Sequence, residues 1–377
     1  MVELFFDLVF VFAITQLSHS LLAKLSALGA LQTLMLLLAV WSLWNYTAWA
    51  TNALDPERVP VRLLLFALML CGLIVSMAIP SAFDRSGLVF AIAYVVMHTL
   101  RSGFVLWAAR AEPLNRRQNF QRNLFWVAVP ALFWFAGALA NAEYRLYWWL
   151  AAIGLELVSP WLLYWTPGLG ASKTSDWIVA GSHMAERCAL FVIIALGESL
   201  LITGATFAEK PVTAVGSIGL ASAFFGAVTM WWIYFHAGAE HASRKIEQAK
   251  DPGKTAVVSY SFIHIAIVAG IIVSAVGDEL VLAHPEHADQ AAVATLLGGP
   301  ALFLLGCLLF KWVSYDRKTP PLSHSVGLLA LGGLAVYALT VAPGFADHGL
   351  SAVQLAIAAT TILLIVAVWE TRALRAR

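Results

Sequence analysis

The chain has 377 residues, of which 60% are hydrophobic and 12% charged, with a net charge of +1 and a mean hydropathy of +0.80. A soluble domain carries about 25% charged residues, so this is an all-α polytopic transmembrane bundle with the lipid bilayer as its first partner. The near-neutral charge excludes nucleic acid and argues against steering of acidic substrates.

About 20 mostly apolar residues cross a bilayer as a helix. Twelve such spans are predicted, at 4–22, 30–51, 61–79, 87–109, 123–140, 146–166, 186–206, 215–239, 256–277, 294–314, 322–342 and 350–370. The first is apolar yet opens with two carboxylates, Glu3 and Asp7. Read as a helix, Glu3, Asp7, Val11, Thr15 and Ser18/His19 fall on one face, while Phe5, Phe6, Phe10 and Phe12 lie mostly off it. A carboxylate at membrane depth costs a few kcal/mol or more, so this narrow polar line is expected to face protein or trapped water. The span starts so close to Met1 that a natural chain beginning upstream is expected, and no cleavable signal peptide is visible.

Lys and Arg in the loops set the orientation. Seventeen lie on one side (Arg58, Arg62, Arg110, Arg116, Arg117, Arg122, Lys173, Arg244, Lys245, Lys250, Lys254, Lys311, Arg317, Lys318, Arg372, Arg375 and Arg377) and four on the other (Lys24, Arg85, Arg145 and Lys210). That asymmetry places both termini in the cytoplasm. Trp and Tyr gather at span ends, at Tyr144 to Trp149 and Trp161 to Trp165, as interfacial belts.

The chain also reads as duplicated. Gly72-Leu-Ile-Val-Ser echoes Gly270-Ile-Ile-Val-Ser, Trp41-Ser-Leu-Trp44 echoes Trp231-Trp-Ile-Tyr234, and Glu3 opens the first span as Glu186 opens the seventh. Each echo is six spans apart, which predicts two parallel six-helix repeats. The first is 1–170 and the second 186–377, joined by a loop at 171–185; the polar connection there begins at 167 with Pro167, Gly168 and Gly170.

Candidate functional residues are titratable groups inside spans. Glu198 lies mid-span in Ala195-Leu-Gly-Glu198-Ser, and Glu156 lies in the sixth span. His98 and Arg101 stand three apart on one face of the fourth span, and His264 sits within the ninth. Arg187 is about three helical turns before Glu198 and shares its face. Asp7, Glu156, Glu198 and His264 form the expected proton or substrate pathway; Glu3, Arg101, Glu186 and Arg187 are the expected structural or counter-charge groups. For Arg101 a structural ion pair is the favoured reading, and for His264 a packed neutral imidazole weighs as much as a relay.

No catalytic motif, cofactor box or metal-ligand spacing is present, which leans away from an enzyme. His236 and Glu240 at a span exit read as a polar helix end, and His284 to Asp289 as a solvated loop. The three cysteines, Cys71, Cys188 and Cys307, are scattered in apolar stretches and read as small buried residues.

The opening Glu3-Leu-Phe-Phe-Asp7-Leu-Val-Phe, then Trp41…Trp44-Asn45…Asn52, Gly154-Leu-Glu156-Leu-Val-Ser-Pro160, His183…Glu186-Arg187…Ala195-Leu-Gly-Glu198-Ser199 and Trp231-Trp-Ile-Tyr-Phe resemble the bacterial low temperature requirement protein A (LtrA) family. The resemblance spans nearly the whole chain. It departs at Cys188, where the family more often has an aromatic, and lacks a short polar segment before Glu3. What it implies is a multi-pass inner-membrane protein with no established activity. The first span also resembles the Phe-Ser-Asp opening helix of a lysosomal and bacterial potassium-channel family, with Phe6 in place of the serine.

Four functions compete: a proton-linked transporter of an unknown small solute or ion, an ion channel, a cofactor-binding membrane protein, and a structural protein. Titratable groups in both halves of a repeat-built frame rank the transporter first. A homodimer is compatible with all four.

Overall fold

The computed structural model describes residues 1–177, 179–236, 239–314, 319–340 and 350–375, without the side chains of 239–242. The side chains of Glu240 and His241, and Arg317, Lys318 and Arg377, therefore lie outside the described residues. Every long apolar run is a helix, because a backbone in lipid has to satisfy its polar groups internally.

The helices are α1 (Val2–Ala23), α2 (Ala27–Ala53), α3 (Val59–Ala78), α4 (Gly87–Ala108), α5 (Leu114–Leu139), α6 (Ala142–Val158), α7 (Gly181–Ala208), α8 (Ala214–Phe235), α9 (Ala239–Glu247), α10 (Pro252–Ala256), α11 (His264–Ala283), α12 (Gln290–Ser314), α13 (Leu322–Thr340) and α14 (Ala352–Arg375). A π-helical turn, Val257–Ile263, joins α10 to α11 so that they run as one segment. Among the described residues, 11 helical segments are long and apolar enough to cross a membrane. The twelfth expected span, α6, has 17 helical residues. Pro160 follows its C-cap Ser159 and cannot continue the helix.

Two other boundaries shift for physical reasons. Helix α5 begins nine residues before the apolar run at 123, since Asn115 to Arg122 have good helix formers behind Pro113 at the N-cap. Helix α7 begins at Gly181, inside the segment read as a connecting loop. On α1 the buried stripe is wider than the polar line: Phe6 and Phe10 are buried beside Asp7 with rings 5.2 Å apart, while His19 is exposed. A helix face packed on protein is ≳ 100° wide and takes in such flanking positions.

The chain divides into two compact units. The first comprises 1–20, 27–184 and 247–257; the second comprises 21–26, 185–246 and 258–377. In the first unit α4 packs on α3 and α5, α5 packs on α6, and α2 lies against α4 and α6. In the second, α12 packs on α11, α13 and α14, and α14 lies against α8. Helices α11 and α12 approach closely. A Cβ at Gly270 would fall on the backbone of Phe303, and one at Gly299 would lie 2.6 Å from the Ser274 nitrogen. Glycine at such seams lets backbones meet where no apolar driving force exists. Gly72, the echo of Gly270, faces the Val9 side chain at 3.2 Å instead.

Large apolar side chains such as Phe5, Leu8, Leu63, Phe66, Leu132, Phe225 and Leu329 are exposed, as are Tyr144, Tyr147, Trp161 and Trp165. On a spanning helix these are the lipid-facing surface. Three of the charges counted as loop residues, Arg122, Arg145 and Lys311, are buried instead. Among the described residues, twelve against three remain.

Candidate functional site

In the first unit, α4 carries Tyr94, His98, Arg101 and Ser102 at intervals of four, three and one, which stacks them on one face. Helix α2 presents Ser42, Tyr46 and Trp49 in the same way. Between these faces and α5 and α6 lies a cage around Glu156. Its Oε2 accepts from the Ser42 hydroxyl at 2.8 Å and the Tyr94 hydroxyl at 2.6 Å. Its Oε1 accepts from the Trp134 indole N–H at 2.9 Å. One carboxylate thus ties α2, α4 and α5 to α6. Three donors suit its ionised form, and two of them are hydroxyls that can turn to accept when a proton is added.

Nearby, Asp7 of α1 is fully buried and accepts from the Trp44 indole N–H at 2.8 Å. Glu3 is half-buried, with Oε1 3.0 Å from Nε2 of His183. Immediately beyond Glu156 the chain turns through Leu163 and Tyr164, both left-handed at φ 51° and 50°. Non-glycine residues there are strained, and such strain gathers at functional sites. Arg122 pins this turn, donating to the Leu169 carbonyl at 2.7 Å and the Gly170 carbonyl at 3.0 Å.

Arg101 is 2% exposed. Its Nη2 donates to Nδ1 of His98 at 2.7 Å and lies 3.4 Å from the Ser102 hydroxyl, and its carbon sits 5.1 Å over the Tyr46 ring. Its Nη1 is buried without a partner, as are His98 Nε2 and Asn123 Oδ1. Glu156 meets Ser42, Tyr94 and Trp134, while Arg101 meets His98; cation and carboxylate each have their own neutral partners. Two small cavities adjoin them. One of about 10 Å³ is lined by Tyr46, Tyr94, His98, Asn123 and Glu156. The other, about 70 Å³, is lined by Tyr46, Trp49, Arg101, Ser102, Phe120 and Asn123.

The second unit holds a different arrangement. The Lys311 ammonium on α12 donates to Glu370 Oε2 on α14 at 2.6 Å, to the Ile233 carbonyl on α8 at 2.7 Å, and to His324 Nε2 on α13 at 3.3 Å. An ammonium has three N–H bonds, and all three are used. Glu370 Oε1 is buried without a partner. His264 follows the π-helical turn, with Nδ1 2.8 Å from the Ser259 carbonyl and Nε2 2.8 Å from the Tyr234 hydroxyl. A carbonyl only accepts, so Nδ1 carries the proton and Nε2 accepts from Tyr234. Both nitrogens are engaged in the manner of a packed neutral imidazole.

Glu198 is buried in α7, about 15 Å from its Ala208 end at 1.5 Å per residue. Its neighbour Ser199 lines a cleft of about 30 Å³ with Ser222, Ser274, Asp278 and Thr360. Arg187 is buried and Glu186 is exposed. The structure therefore brings Asp7, Arg101 and Glu156 into the first unit and Arg187, Glu198 and His264 into the second. The sequence reading missed Lys311, His324 and Glu370, which sit at the ends of apolar runs and look like loop charges. It also missed Asp278 and Glu279, because the ninth span was ended at 277 while α11 runs to Ala283. Among the described residues, no group of three His, Cys, Asp or Glu side chains could hold a metal ion.

A relative from Rhizobium meliloti (strain 1021), named Uncharacterized protein RA0937, is 40% identical over 375 residues, covering 99% of this chain and 89% of the relative. No solved structure matches the chain. The model of the family described as bacterial low temperature requirement A protein matches residues 1–369, the stretch that contains the Asp7, Glu156 and Glu198 sites and nearly every spanning helix. The chain is a multi-pass membrane protein and belongs to the LtrA family.

Proposed function

We propose that this chain is a proton-linked transporter of a small solute in the bacterial inner membrane, with both termini in the cytoplasm. The observation that carries the reading is Glu156: a buried carboxylate held by hydroxyls that can exchange donor and acceptor roles, beside a cavity and in the same unit as a guanidinium with one unpartnered nitrogen. A purely structural carboxylate needs partners but no adjoining space. A proton carrier needs both, together with a way to stay hydrogen-bonded in either protonation state. Asp7 is the second pathway group of this unit, and Glu198 beside the Ser199–Asp278 cleft is its counterpart in the other. The charge asymmetry of the loops supports the orientation. The echoes between 72–79 and 270–277, and the shared pairing of the later helices within each unit, support a two-repeat architecture.

The test is flux in liposomes. Purified protein is reconstituted with an internal pH dye, and proton movement is followed with a panel of small anions, cations and neutral solutes. Saturable proton uptake that needs both the gradient and a solute is expected, and it is lost in Glu156→Gln with unfolding unchanged. Conductance that persists without a proton gradient would replace this reading with a channel. Vesicles that move nothing across the panel would overturn it.

A further inference from the structure

The donors around Arg101 do not balance. A guanidinium only donates, so the 2.7 Å bond from Arg101 Nη2 requires a bare Nδ1 on His98. A neutral imidazole with a bare Nδ1 carries its proton on Nε2. His98 Nε2 is thus an N–H, 4% exposed as a residue, and it has no acceptor. Arg101 Nη1 is a second buried N–H with no acceptor. Leaving such groups bare is costly, the more so for the charged one. The third orphan, Asn123 Oδ1, is an acceptor, but a neutral one that can meet one N–H and cannot balance the guanidinium's charge. Arg101 and Asn123 both line the 70 Å³ cavity, and His98 and Asn123 line its neighbour. Among the described residues, no carboxylate lies within ion-pair distance of Arg101.

What is missing is an acceptor, and the buried charge makes the best acceptor an anion. We infer that the cavity beside Arg101 binds a small monovalent anion, a halide or an oxyanion or carboxylate of a few heavy atoms. Size and charge set the class. A volume of about 70 Å³ exceeds the roughly 10–15 Å³ that one water needs and admits an anion of a few heavy atoms. A single guanidinium would leave half of a dianion's charge uncompensated. Aromatic walls from Tyr46, Trp49 and Phe120 suit a weakly hydrated anion. The position of Glu156 adds a reason for coupling: an anion at Arg101 and a proton on Glu156 enter together without net charge. As a binding site this stands on geometry; as the substrate site it rests on the transport reading.

The experiment titrates the parent protein in detergent with sodium chloride, nitrate, formate and acetate at constant ionic strength, with gluconate as the oversized control. Thermal unfolding and tryptophan fluorescence, through Trp49, are the readouts. Saturable stabilisation by at least one small anion and none by gluconate is expected. Arg101→Gln should weaken that anion by about tenfold or more. No saturable response of the parent to any of the four would overturn the inference, and that result needs no variant that folds. Proton flux that persists with cations or neutral solutes in such a protein would leave the transport reading standing alone. Anion binding with no flux of protons or anions in liposomes would do the reverse, keeping the site and removing the transport role.

Discussion

The two units bury the same ingredients and use them in opposite ways. Each has a cation on its fourth long helix and a carboxylate on its sixth: Arg101 on α4 with Glu156 on α6, and Lys311 on α12 with Glu370 on α14. In the second unit the two meet at 2.6 Å, and every ammonium proton has an acceptor. In the first they are kept on separate neutral partners, cavities open beside them, and two N–H groups have none. A fully satisfied buried ammonium rigidifies its surroundings. A buried cation with spare donors is held ready for something that comes and goes. Stability and function are therefore expected to separate between the units.

The largest effect should come from breaking the Lys311–Glu370 pair. Lys311→Ala leaves Glu370 buried alone and is expected to cost about 3–5 kcal/mol of stability, read by denaturant unfolding in detergent. The double variant Lys311→Met with Glu370→Leu should recover most of that loss. A double variant as unstable as the single one would mean that the pair does more than hold helices together.

Next comes the α11–α12 seam. Gly270→Ala forces a methyl into the Phe303 backbone and should cost about 1–3 kcal/mol. Gly72→Ala meets only the tip of Val9 and should cost less than about 1 kcal/mol. Equal costs would show that the two glycines play the same packing part in their units. Smaller still, Arg101→Leu removes a buried charge and its orphan donor but strips His98 Nδ1 of its donor; the two largely offset, so stability should change by about 1 kcal/mol or less. A loss as large as that of Lys311→Ala would contradict the contrast between the units.

Much of the first unit was legible in the sequence. The three-residue spacing of His98 and Arg101 put them on one face, and their contact follows. Glu156 stood out as a carboxylate in an apolar run. Its cage did not, because Ser42, Tyr94 and Trp134 come from three other helices and only packing brings them together. Lys311 and Glu370 were hidden for another reason. Near a span end a charge normally reaches water, and nothing local says that His324 and the Ile233 carbonyl wait for it inside. The short α6 was readable in principle from Pro160, whereas the early start of α5 was masked by the polar residues that form its first turns.

The most direct test of the account compares proton flux in liposomes for two variants that neutralise a buried carboxylate: Glu156→Gln in the first unit, and Lys311→Met with Glu370→Leu in the second. The account predicts that Glu156→Gln folds like the parent and abolishes solute-dependent proton uptake, while the double variant keeps it. Uptake that survives Glu156→Gln, or that disappears only with the Lys311–Glu370 pair, would contradict it.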